Sequence, residues 1–143
     1  MRSITVSCVA LILALWAVGI VASQPLRHLV QTAPIWMGVV LGVRKAPIGK
    51  WAALPFFVIW LCLMTLIWLY LLGWAHVITG TFPPIEVALT LIIGAVSVIG
   101  IVSCFKFKGA AVGWAAALAV FVASAGLQLA AVRASMLPWI AHR

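Results

Sequence analysis

Very few residues in this chain could carry chemistry. Glu86 is the single acid, aspartate is absent, and histidines stand only at positions 28, 76 and 142. Paired-carboxylate acid–base catalysis needs two acids and is excluded. A Ser–His–Asp triad cannot be assembled without an aspartate. The three histidines are far apart, with none in an i, i+4 pair, and Cys8, Cys62 and Cys104 form no CxxC or Cys/His ligand spacing. Each cysteine lies in an apolar run and reads as a buried free thiol. Haem between facing histidines would need His28 and His76 at one end of a bundle, and both lie at span boundaries. The expectation is a non-enzyme with no cofactor and no metal.

The remaining charge is basic. Nine Lys and Arg against one acid give a net charge of +8 over 143 residues. Such a balance can signal nucleic-acid binding, but here the cations flank apolar runs and form no surface stripe. Nucleic acid is therefore not expected. Arg44, Lys45, Lys50, Lys106 and Lys108 are candidate contacts for anionic lipid headgroups.

The apolar runs between these charges define the fold class. Charged residues make up 7% of the chain, where a soluble domain carries about 25%. Trp51 to Ala75 has no charge and reaches roughly 37 Å as a helix, enough to cross a hydrocarbon core of roughly 30 Å. Trp51 and Trp74 lie at its two ends, where indole favours the headgroup boundary. Pro55 is expected in its first turn. Phe56, Trp60, Met64 and Trp68 fall on one face, read as lipid contact or helix packing, or as an aromatic wall for a lipid, quinone or pigment.

Further helices are expected near 4–23, 86–105 and 110–132. The first could instead be a signal peptide ending at Val21-Ala22-Ser23. Glu86 falls in the first turn of the third helix, behind Pro83 and Pro84, where a carboxylate meets the positive end of the helix dipole. Residues 29–43 form a shorter apolar segment interrupted by Pro34, about 22 Å long, read as re-entrant or as a thin fifth span. The expected fold is thus an all-α polytopic integral membrane protein, one membrane domain over 1–143.

Counting cations near span ends sets Arg44, Lys45, Lys50, Lys106 and Lys108 against Arg133 and Arg143, which places the first group in the cytoplasm. With no targeting extension evident, a bacterial inner membrane is the expected location. The chain is similar in size to small four-helix multidrug exporters, but their membrane-embedded glutamate in the first helix has no counterpart in Ser3–Leu26. The glutamate- and arginine-bearing helix motif of membrane glutathione-transferase-like proteins is absent too.

With chemistry excluded, small residues become the informative ones. Ala116, Ala119, Ala123, Gly126 and Ala130 recur at the 3–4 spacing of a left-handed helix seam. Small side chains let helices approach closely in lipid, where apolar surface alone drives no association. Two contacts are open to this seam: the third helix of the same chain through Gly94, Ser97 and Gly100, or another subunit. The expected function is a non-catalytic structural or accessory subunit acting by helix contact with itself or a larger membrane complex. A small transporter or channel is the alternative.

Overall fold

The computed structural model describes residues 1–77 and 80–141, all of them helix or connection. Four helices are long and apolar enough to cross a membrane: α1 (Arg2–Val21), α4 (Gly49–Leu71), α5 (Pro84–Lys106) and α6 (Trp114–Ala134). Between α1 and α4 lie two short helices, α2 (Pro25–Thr32) and α3 (Ile35–Val43). A four-residue turn of helix, α7 (Pro138–Ala141), ends the described chain. The chain is therefore an all-α membrane protein built on the four expected spans.

Helices α2 and α3 act as one broken segment. Pro34 has no N–H for the preceding turn and its ring displaces the carbonyl four residues back, so the helix stops at Thr32 and restarts at Ile35. The segment runs antiparallel to α1 along almost its whole length. Gly19 packs on His28, Gly38 on Cys8, and Gly42 on Thr5. From Gly19 to Thr5 is roughly 21 Å of helix. A re-entrant loop would return to its starting end, but this segment leaves at the opposite one. It begins at Pro25, four residues before the expected Leu29, and the extra turn supplies the missing length.

The traverse puts Met1 beside Gly49 and lets Ser3 hydrogen-bond Ser103 at 2.7 Å. Arg2 thus joins Arg44, Lys45, Lys50, Lys106 and Lys108 at one end of the bundle. Arg27 and Arg133 lie at the other; Arg143 and His142 fall outside the described residues. An N-terminal tag and a cysteine at Lys108 are expected to sit on the same side of a membrane. Reaction of both with an impermeant reagent on opposite sides would overturn the traverse.

Three helices end in the same local structure. After α1, α3 and α4 the chain turns through Ser23, Lys45 and Gly73, all with positive φ. The N–H of each of these residues and of its successor bonds back into the last turn, as in Lys45 to Gly42 at 3.1 Å and Ala46 to Leu41 at 3.0 Å. This double bond pattern satisfies carbonyls that the helix end would leave free.

Packing follows side-chain size, because every span is apolar all round. Helix α1 buries Ile4, Cys8, Leu11 and Leu15 against α5 and the broken segment. Helix α4 buries Phe56, Trp60 and Met64, which settles that aromatic face as helix packing, with Trp68 half-buried. Pro55 lies in the second turn of α4, since the helix starts at Gly49 and not at Trp51. Gly100 of α5 admits the fully buried Phe57 ring; a Cβ there would lie 2.5 Å from it. Cys8 and Cys104 are buried thiols, but Cys62 is exposed on the bundle surface, contrary to expectation. Helix α6 packs on α4 and α2, has no substantial interface with α5, and is the least covered of the four spans.

Candidate functional site

Polar side chains deep in an apolar bundle are costly unless they are partnered. The break at Pro34 creates the need for such partners. The carbonyls of the last turn of α2 lose their helical donors, and three side-chain or turn donors replace them. Thr32 Oγ1 donates to the Leu29 carbonyl at 3.0 Å, and the Ala33 N–H to Val30 at 3.3 Å. Gln128 Nε2, from α6, donates to the Gln31 carbonyl at 3.0 Å. The Gln31 side chain in turn donates to Ser135 Oγ at 2.9 Å, and Ser135 donates to the Val132 carbonyl. From α1, Trp16 Nε1 donates to Thr32 Oγ1 at 3.0 Å.

These bonds form one layer that ties α1, α2 and α6 together. Gln31 and Gln128 each lie roughly 9 Å of helix inside their outer ends, within apolar depth. Gln128 is 0% exposed and Gln31 is 5% exposed. Both amide oxygens nevertheless lack a hydrogen-bond partner among the described residues, as does Ser124 Oγ one turn from Gln128 on α6. The layer therefore retains free acceptors on Gln31 and Gln128 and an unpaired hydroxyl on Ser124. Those free oxygens can accept from a water molecule or a hydroxyl, or coordinate a cation.

This layer was only partly visible in the sequence. Gln31 and Thr32 interrupt the apolar segment and Gln128 interrupts the last span, but nothing local pairs residues 97 positions apart. The signal available was the combination of Pro34 with isolated glutamines in apolar runs.

The α6 seam lies elsewhere. Ala116, Ala119, Ala123, Gly126 and Ala130 are all exposed, and a Cβ at Gly126 would meet nothing within 4 Å. The face of α6 that packs inward carries Ala117, Ser124 and Gln128 instead. Packing of the seam on Gly94, Ser97 and Gly100 within the chain is thereby ruled out. Ser97 and Gly100 are buried by α5's own neighbours, and Gly94 is open. The polar layer explains the orientation: hydrogen bonds through Gln128 turn its side of α6 inward and the seam outward.

The candidate lipid-contact cations gather at the opposite end. Lys50 lies over the Trp51 ring at 5.2 Å from its centroid, a cation–π distance. Lys45 lines a groove that also holds Arg2, while Arg44, Lys106 and Lys108 are exposed without a partner acid. His28 bonds the Gln24 carbonyl through Nδ1 at 3.1 Å, and His76 meets Tyr70 edge-on. No cluster of three metal-ligating side chains occurs among the described residues. Comparison with protein-family models, curated proteins and solved structures finds no match to this chain.

Proposed function

We propose that this protein is a structural or accessory membrane subunit that acts by helix contact, with itself or within a larger membrane complex. One observation carries the reading: the small-residue seam of α6 points away from its own bundle and is covered by no side chain among the described residues. A surface meant only for acyl chains needs no such periodicity, because lipid accommodates large and small apolar residues alike. The hydrogen bonds that pin α6 to α2 hold the seam in that direction.

The test is extraction in mild detergent followed by native mass spectrometry. A stoichiometric assembly, of copies of this chain or with a partner, is the expected result. A chain that is solely monomeric when drawn from its own membrane would overturn the proposal.

The bilayer we propose is a bacterial inner membrane, with the Arg2, 44–50 and 106–108 end in the cytoplasm. The asymmetry of Lys and Arg supports that orientation. A reporter fused after Arg143 should then report the non-cytoplasmic side. Cytoplasmic activity of that fusion would reverse the orientation.

A small transporter or channel is the second reading, supported by the free acceptors on Gln31, Gln128 and Ser124 beside a broken helix. Broken helices beside buried polar groups are how many transporters build their sites. Proton or solute flux in liposomes that falls when Gln31 becomes Leu would select this reading over the first.

A further inference from the structure

We propose that the groove between the first turns of α1 and the end of α3 seats one phospholipid with a net negative headgroup. Its phosphate lies between Arg2 and Lys45, and an acyl chain runs along Val6, Val43 and Phe107. The groove is open on one side and offers about 430 Å³, within the range of roughly 300–1,000 Å³ typical of ligand pockets. Its walls are apolar and its mouth is cationic, which is the chemistry of a lipid and not of a soluble anion. Val6 is 60% exposed and Val43 is 68% exposed, so the apolar wall opens sideways, toward where acyl chains lie.

Charge balance points to an outside partner. The only acid, Glu86, sits in the first turn of α5, at the other end of the bundle. No carboxylate side chain of this chain can therefore neutralise Arg2 or Lys45. At a span end the nearest abundant anions are headgroup phosphates. The first amides of α1 have no side-chain cap and add a favourable dipole at the same mouth.

Lys45 reaches the groove from the turn that ends α3, in the conformation Ser23 also adopts after α1. Its φ of +53° lies in the left-handed region, where glycine is favoured and a side chain is strained. Helix α3 could close the same turn with glycine at no loss of backbone bonding. A lysine there places a cation at the groove mouth. Gly42, one turn earlier, lets α1 and α3 approach through Thr5 and so shapes the wall.

Lys45→Gly makes the decisive variant, because it removes the cation while relaxing the backbone. The protein would be reconstituted in vesicles of mixed phosphatidylglycerol and phosphatidylcholine, and bound lipid counted by native mass spectrometry. One retained phosphatidylglycerol is expected per chain. Retention should fall about fivefold in Lys45→Gly and further when Arg2→Gln is added. Lys50→Gln and Lys108→Gln, which make the same charge change outside the groove, should retain it. Val6→Trp should block the groove with both cations present. The proposal fails if Lys45→Gly retains lipid as before. It fails equally if Lys50→Gln and Lys108→Gln lose as much, which would show a diffuse charged surface. Displacement by millimolar glycerol phosphate alone would identify a free phosphate as the ligand and also overturn it.

Discussion

Leucine at Gly126 should leave this protein folded and abolish its assembly, whereas leucine at Gly100 should unfold it. Both are glycines in the middle of apolar spans, and their surroundings differ. The Cβ position of Gly100 is occupied by the fully buried Phe57 ring at 2.5 Å, so any side chain must drive α5 off α4. Overpacking of a filled site costs typically 1–3 kcal/mol, and a four-carbon side chain against an immobile ring belongs at about 3 kcal/mol. A Cβ at Gly126 would meet no packed neighbour within 4 Å among the described residues. Leucine there costs the monomer nothing in packing and gains up to about 1 kcal/mol of helix propensity. It does hold apart any second helix that uses the seam, since the close backbone approach requires the small residue. Ala123→Leu should behave as Gly126→Leu does, and Leu118→Ala, off the seam, should change neither property. Thermal unfolding in detergent measures the first effect and native mass spectrometry the second. If Gly126→Leu and Ala123→Leu leave assembly intact, the seam faces lipid and the accessory-subunit reading loses its main support.

The second large effect is expected at Gln128, and it should depend on Pro34. Gln128→Leu removes the donor to the Gln31 carbonyl and leaves that acceptor buried and unpaired. Interhelical hydrogen bonds in membranes contribute about 0.6 kcal/mol on average and up to about 1.7. Stranding a buried acceptor costs about 1–3 kcal/mol. A loss of about 2 kcal/mol is therefore expected, together with loosening of α6 against α2. In a Pro34→Ala background the N–H missing at position 34 is restored and the helix can continue through the break. The carbonyls of α2 then recover helical donors, and Gln128→Leu should cost less than half as much. A double-mutant cycle on thermal unfolding reads the coupling directly. Additive losses would show that Gln128 does not serve the proline break.

The same comparison explains which features were legible in the chain itself. Four apolar runs announced four spans, because the free energy of placing a helix in a bilayer is a local sum over about 20 residues. Glu86 behind two prolines announced the start of α5 for a similarly local reason. The broken segment was harder. Its apolar stretch alone was too short, and its extra turn contains Arg27 and His28, which look like loop until Gly19 and Gln24 supply their contacts.

What a span packs against was not legible, and the reason is the solvent. In water an apolar stripe marks the face of a helix that turns inward. In a bilayer both the core and the surroundings are apolar, so all faces of α1, α4, α5 and α6 look alike. Residue types by themselves therefore determined that this chain is a helical membrane protein with almost no means of covalent chemistry. Only the tertiary structure decided that Gly100 faces inward and Gly126 outward, that Gln128 answers a proline break 94 positions away, and that Arg2 and Lys45 line one groove. Those outcomes rest on close fits and single hydrogen bonds between helices distant in sequence, and such contacts have no periodic signature.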